Sequence, residues 1–183
     1  MARRFYVDKQ LNVNDYIIFD GEDYNHIMNV LRFKINDELI VCNGDGFDYY
    51  TKLIEISKKS CKFVVLSNKV NESETKSQVD VFQALVKGEK FELISQKLTE
   101  LGVNALIPFL SEFVQVKENT TRLNRLEKIS IEAVKQCGRN RPLKISNILS
   151  FAQMLEKLQE YDLVIFAYEK SEKELNYDEI KNY

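Results

Sequence analysis

Val79-Asp80-Val81-Phe82-Gln83-Ala84-Leu85-Val86-Lys87-Gly88-Glu89-Lys90-Phe91-Glu92-Leu93-Ile94-Ser95-Gln96-Lys97-Leu98-Thr99-Glu100-Leu101-Gly102 changes its hydrophobic rhythm halfway along. Val79–Val86 is a compact apolar, β-branched run, which predicts a strand. Lys87-Gly88 turns the chain. Phe91, Ile94, Leu98 and Leu101 then recur at spacings of three, four and three, the stripe of an amphipathic helix. Gly102 stands where a left-handed C-cap belongs, and Ala105–Leu110 predicts the next strand, with Pro108 as a weak point inside it. A strand, a helix and a strand in that order imply parallel pairing through a crossover, and hence an α/β unit.

The same alternation continues toward the C-terminus. A long helix is predicted from Arg122 to Cys137, with Leu123, Leu126, Ile129, Ala133, Val134 and Cys137 inward and Gly138 and Pro142 ending it. Ile145–Ile148 reads as extended, Phe151–Leu158 as helix and Asp162–Tyr168 as an apolar strand. The charged residues from Glu169 onward read as the start of another helix. Toward the N-terminus the character differs. Arg4–Val7, Tyr16–Phe19, Glu38–Cys42, Phe47–Ile56 and Cys61–Leu66 are strand candidates separated by turn residues, and Asn43-Gly44-Asp45-Gly46 is the strongest hairpin signal. One helix interrupts them, with Tyr24, Ile27, Met28 and Leu31 on one stripe. The expected organisation is a small β-barrel over residues 1–70, a polar linker over 71–77 (Asn-Glu-Ser-Glu-Thr-Lys-Ser), and an α/β unit over 78–183 with a mainly parallel sheet. The fold class is therefore α+β with two domains.

Composition narrows the function. The chain has 183 residues, 44% of them hydrophobic and 30% charged, which excludes wholesale disorder. Twenty-six Lys and Arg against 28 Asp and Glu give a net charge of −2, so any polyanion site is a local patch. Cys42, Cys61, Cys137 and the single His26 form neither a disulfide framework nor a zinc signature, and no metal site is predicted. The longest apolar run, Leu163–Tyr168, is too short to span a bilayer, and Met1-Ala2-Arg3-Arg4-Phe5 lacks the apolar core of a signal peptide. A reduced cytoplasmic protein is expected.

Six basic side chains (Arg122, Arg125, Lys128, Lys135, Arg139, Arg141) and two acidic ones (Glu127, Glu132) lie between Arg122 and Pro142. Arg125, Lys128, Lys135 and Arg139 are expected to share one exposed helical face, suited to phosphates through bidentate donors and counterion release. A solvated helix face explains the charge equally well. Arg139 and Arg141 flank the helix end, where a capping role competes with RNA contact. Arg3 and Arg4 before the first strand and Arg32 after the barrel helix are compatible with RNA contact. Lys97 and Glu100, three apart, read as a surface ion pair as readily as a catalytic one. Lys87-Gly88-Glu89-Lys90 leads into a helix N-terminus but matches neither the P-loop nor the dinucleotide pattern, which leaves nucleotide binding a weak alternative.

Several strings, taken in order, resemble the RsmE-type ribosomal RNA uridine methyltransferases of the SPOUT superfamily. They are Arg3-Arg4-Phe5; His26 with Val30-Leu31-Arg32; Asn43-Gly44-Asp45-Gly46; Ala84-Leu85-Val86-Lys87-Gly88-Glu89-Lys90; and Gln96-Lys97-Leu98-Thr99-Glu100-Leu101-Gly102-Val103. Pro108 with Ser111-Glu112, Glu132-Ala133-Val134-Lys135-Gln136-Cys137-Gly138-Arg139 and Tyr168-Glu169 complete the set. The resemblance implies a PUA-like RNA-binding barrel, an α/β-knot domain, a homodimer, and S-adenosylmethionine-dependent methylation of N3 of a uridine in the 16S rRNA of the small subunit. It places Lys97, Glu100, Gln136 and Arg139 on the substrate side as catalytic candidates. With the basic patch added, it expects RNA contacts from Arg3, Arg4, Arg32, Arg125, Arg139 and Arg141. Two departures stand out. Phe113 follows Ser111-Glu112 where the family carries Arg. The family's Gly-Pro-Glu-Gly-Gly loop and its Leu-Gly…Ile-Leu-Arg-x-Glu-Thr-Ala segment do not occur in the 183 residues. The methyl-donor pocket is therefore expected to be missing or incomplete, no cofactor-binding residue is assigned, and the chain alone is expected to be inactive. The competing expectation is a non-catalytic RNA-binding module.

Overall fold

A computed structural model describes residues 3–87, 89–112, 120–168, 170 and 180. Gly88 of the expected turn, Phe113 of the departing motif and most residues from Glu169 onward lie outside the described residues, as does the side chain of Arg122.

Five strands build the N-terminal sheet: β1 (Arg4–Tyr6), β2 (Tyr16–Asp20), β3 (Glu38–Cys42), β4 (Phe47–Ile56) and β5 (Ser60–Val70). Their order is β1-β3-β4-β5-β2. β1 runs parallel to β3, with Phe5 opposite Val41. The β3–β4, β4–β5 and β5–β2 pairs are antiparallel, with Phe19 opposite Cys61 at the far edge. The sheet curls because β4 carries register shifts at Tyr50/Thr51 and Leu53/Glu55, and such bulges add twist. Its two edges meet through the Phe5 and Phe19 rings, 5.3 Å apart. Alternation sends Ile17 and Phe19, then Cys61, Phe63 and Val65, to one face, where they bury with Ile27, Leu39, Val41 and Leu53. Fully burying a side chain of this size stabilises by about 1.5–3 kcal/mol. Gly44 and Gly46, both at positive φ, shape the predicted turn.

The barrel helix differs from its prediction. α1 (Gly21–Asn25) is followed by a π turn, His26–Val30, closed by the Leu31 amide donating to the His26 carbonyl. The widened turn rotates the apolar stripe so that Ile27 is fully buried while Met28 and Leu31 only pack against the core edge.

The second sheet is parallel throughout. β6 (Asp80–Ala84) pairs with β7 (Ala105–Leu110), and β7 pairs with the two short strands β8 (Lys144–Ile145) and β9 (Leu149–Ser150). Pro108 is tolerated in this central strand because it falls between the Leu106↔Ile145 and Phe109↔Leu149 pairings, where the neighbouring strand is interrupted. α2 (Lys90–Leu101) and α3 (Thr120–Cys137) pack together, with Phe91, Leu106 and Leu126 fully buried. Ser95, Thr99 and Ser130 are also buried at this contact. The Ser95 hydroxyl donates to the Leu126 carbonyl, the Thr99 hydroxyl bonds the Ser95 carbonyl and Ser130 Oγ, and the Leu143 amide donates to Ser130 Oγ at 2.6 Å. Gly102 takes the expected left-handed C-cap, φ 80°. α4 (Phe151–Lys157) starts with a capping box, Ser150 with Gln153.

Two expectations are corrected. Asp162–Tyr168 is not a strand: it pairs with no described residue, and Phe166 is 82% exposed. Apolar patterning commits a segment to a sheet only when a neighbour supplies the ladder, and here the chain is anchored beside β6 through Tyr161. The Tyr161 hydroxyl donates to Asp80 at 2.7 Å and its ring meets Phe82 edge-on. Cys137, expected inward, is exposed. The last turn of α3 leaves α2 and faces the barrel, to which it presents Lys135.

Candidate RNA-facing site

The two domains meet around Gly138-Arg139-Asn140-Arg141, just past α3. Gly138 turns the chain at φ 83°, and Asn140 enters the junction with no exposed surface. Its amide donates to Glu74 Oε1 at 2.6 Å, and its side-chain nitrogen donates to the Phe47 carbonyl at 2.6 Å. Its Oδ1 accepts from the Gly46 amide at 2.9 Å. Asn71 Nδ2 donates both to Asp48 Oδ1 and to the Gly138 carbonyl, at 2.9 and 3.0 Å. The barrel hairpin, the segment after β5 and the end of α3 thereby share one buried polar network.

Arg139 lies beside this network. Nε donates to the Glu100 carbonyl at 2.9 Å, Nη1 donates to the Ser73 carbonyl at 2.8 Å, and Glu74 stands 3.6 Å away. The guanidinium passes over Gly102, where a Cβ would collide with it. Arg139 is thus brought to Glu100, but it is enclosed rather than displayed on a helix face. Lys97 pairs with Glu100 at 2.8 Å on the solvent side of α2. Gln136 is exposed on the last turn of α3.

The expected basic face is dispersed. Arg125 pairs with Glu92 at 2.9 Å. Lys135 points to the barrel, 3.6 Å from Asp23, 2.8 Å from Glu132 and 5.9 Å from the Phe5 ring centre. Burial works against its ammonium, yet Glu132 and Asp23 outweigh burial and strengthen its hold on the proton. Lys128 remains exposed. Arg141 is exposed too, its guanidinium lying against Gly46.

On the barrel, Arg4 is turned inward. It forms a bidentate pair with Asp48 at 2.5 and 2.6 Å, with 9% of its side chain exposed, so it cannot reach a phosphate without breaking that pair. Burial raises the Asp48 carboxyl, but hydrogen bonds and charge from Arg4, with Asn71 and Asn140, outweigh it and hold the group below its ordinary value. Arg3 instead reaches the segment that carries Arg32. Arg3 Nη1 donates to the Leu31 carbonyl at 3.0 Å with its guanidinium over the Phe33 ring, and Arg32 follows Leu31 in a left-handed conformation, φ 55°. A non-glycine residue held there is strained and is exposed to solvent.

Asn140, Asp48, Asn71 and Glu74 were not marked by sequence reasoning. The available signal was the pair of acids in the 71–77 segment, which required partners, and an asparagine between two arginines after a helix-ending glycine. Among the described residues no group of His, Cys, Asp and Glu is placed to hold a metal ion, and no helix is long and apolar enough to cross a membrane.

Comparison with known proteins matches an RNA methyltransferase PUA domain over residues 19–66 and an RNA methyltransferase domain over residues 73–182. Ribosomal RNA small subunit methyltransferase E of Bacillus subtilis is 35% identical over 158 residues, covering 84% of this chain and 62% of that protein. The Buchnera aphidicola protein of the same name (Acyrthosiphon pisum strain) is 30% identical over 172 residues, covering 92% and 68%. Among solved structures, ribosomal RNA small subunit methyltransferase E from Neisseria gonorrhoeae, bound to S-adenosyl methionine, superposes with a TM-score of 0.77. It is 27% identical, with 86% of this chain and 66% of that one covered. The chain therefore spans roughly two thirds of the length of the relatives it matches. With a matched family model over most of its length and a PUA-like barrel joined to a SPOUT-type parallel sheet, the chain belongs to the RsmE-type family of small-subunit ribosomal RNA methyltransferases.

Proposed function

We propose that the protein serves S-adenosylmethionine-dependent methylation of N3 of a uridine in 16S rRNA, as a cytoplasmic homodimer. The observation that carries this reading is the joint superposition of barrel and α/β unit on the donor-bound Neisseria structure. In this reading Arg3, Arg32 and Arg141, exposed and free of carboxylate partners among the described residues, meet RNA phosphates, with Arg125 at the periphery. Lys97, Glu100 and Gln136 form the substrate side, with Arg139 holding the end of α2 at Glu100 in place. Its support is the contact between Arg139 and the Glu100 carbonyl, which gathers the ends of α2 and α3.

We infer that the described residues leave the methyl-donor site incomplete. An adenosine and a sulfonium need a closed slot with apolar walls and backbone acceptors, whereas the apolar run 163–168 is open to solvent. The 183 residues alone are therefore expected neither to bind the donor tightly nor to methylate RNA. Calorimetric titration of the chain with S-adenosylmethionine is expected to show no micromolar binding, and micromolar binding would contradict the inference. A chimera carrying the remaining third of the Bacillus subtilis relative is expected to yield 3-methyluridine in digests of a 16S rRNA transcript. A methyl group at another atom would contradict the uridine assignment.

A further inference from the structure

The Gly138–Arg141 loop does more than end a helix. The backbone amide and both side-chain polar atoms of Asn140 are used, and their partners come from two places: Gly46, Phe47 and Asp48 on the barrel hairpin, and Glu74 in the connecting segment. Asn71 repeats the pattern from the other side by joining Asp48 to the Gly138 carbonyl. Glu74 Oε1 accepts from the amides of both Asn140 and Arg141, and its carboxylate also faces Arg139. Arg139 in turn ties Ser73 to the end of α2. Thr75 adds a bond to the Gly102 carbonyl.

We propose that Asn140, with Asn71, Glu74 and Arg139, is a positioning device that holds the barrel and the α/β unit in one orientation, so that cations on both domains reach a single RNA. The proposal rests on the RNA-binding reading above and deepens it. Asn140 and Asn71 carry no charge and are buried, so they contribute nothing to phosphate affinity directly. Their effect on RNA binding has to pass through geometry. Arg139 changes role accordingly: its guanidinium acts through Ser73, Glu74 and Glu100 rather than on the nucleic acid. A network of this kind confers orientation because each donor has one acceptor at one distance, and a rotated arrangement would leave buried groups unpaired.

The test uses the 183-residue chain and a full-length 16S rRNA transcript. Asn140→Ala and, separately, Asn71→Ala are measured by small-angle scattering without RNA and by RNA titration across a salt series. Both variants are expected to keep the wild-type circular dichroism, to increase the radius of gyration, to lose tenfold or more in affinity, and to flatten the dependence of affinity on salt although no charge was removed. Arg139→Lys is expected to behave like the asparagine variants, because lysine keeps the charge but not the planar fork. Full rescue by Arg139→Lys, or unchanged affinity and salt slope in folded Asn140→Ala and Asn71→Ala, overturns the proposal. Should Asn140→Ala fail to fold, Asn71→Ala and Arg139→Lys decide it. Failure of the wild-type chain to bind the transcript overturns the RNA-binding reading instead. An expanded scattering profile together with undiminished affinity overturns the positioning role alone.

Discussion

Asp48 concentrates the energetics of the junction in one carboxylate. Its folded proton affinity is depressed by Arg4, Asn71 and Asn140 against the opposing effect of burial. A depressed carboxylate contributes stability that is fully present above its unfolded value, about 3.9, and that is lost as pH falls through the lower folded value. Urea unfolding midpoints are therefore expected to fall on acidification below about pH 5, and Asp48→Asn is expected to flatten that slope. At neutral pH the same substitution leaves Arg4 buried without a counter-ion, at a cost on the order of 3 kcal/mol. A mutant with wild-type acid sensitivity would remove Asp48 from this role. The thiols offer a second residue-scale check. Burial pushes Cys42 and Cys61 up to about 11, whereas Cys137 is exposed. One thiol per chain is expected to react with a disulfide reagent in the native state at pH 8, and three are expected to react in denaturant.

At the scale of elements, the helix ends show what was legible and what was not. Gly102 and Gly138 were readable as stops because positive φ is a local demand that glycine meets cheaply. What Gly102 also does, giving room to Arg139, depends on a residue 37 positions away and leaves no mark in the local pattern. The two glycines should therefore differ. Gly138→Ala is expected to cost about 1–2 kcal/mol for the left-handed backbone alone, while Gly102→Ala should cost more, because the Arg139 guanidinium must move. Equal thermal shifts would show that Arg139 yields freely. Strands rich in β-branched and aromatic residues, such as Tyr16–Asp20, and the stripe Phe91, Ile94, Leu98 were readable for the same local reason, whereas Leu101, read onto that stripe, is exposed at the helix end. Asp162–Tyr168 misled because its pattern satisfies a strand without naming a partner for its backbone. The π turn at His26–Val30 was hidden because one inserted residue shifts the stripe by less than the spacing rules resolve.

Across the whole molecule, the domain sequence and the family were readable from ordered motifs, while the division of labour among the cations was not. Seven candidate arginines and lysines shared one description, basic and near a helix or strand end. Packing separates them: Arg4 and Arg139 are enclosed, Arg125 and Lys135 are paired with acids, and Arg3, Arg32 and Arg141 face solvent. In the proposed reading, Arg3 and Arg32 on the barrel and Arg141 on the loop after α3 grip small-subunit rRNA together. The most direct measurement is the affinity of the chain for a 16S rRNA transcript between about 50 and 200 mM salt, for wild type and for the double substitution Arg3→Ala, Arg32→Ala. The double variant is expected to bind more weakly, with a log–log salt slope shallower by roughly 1.5, from about 0.7–0.9 per lost phosphate contact. A double variant with wild-type affinity and slope would contradict it.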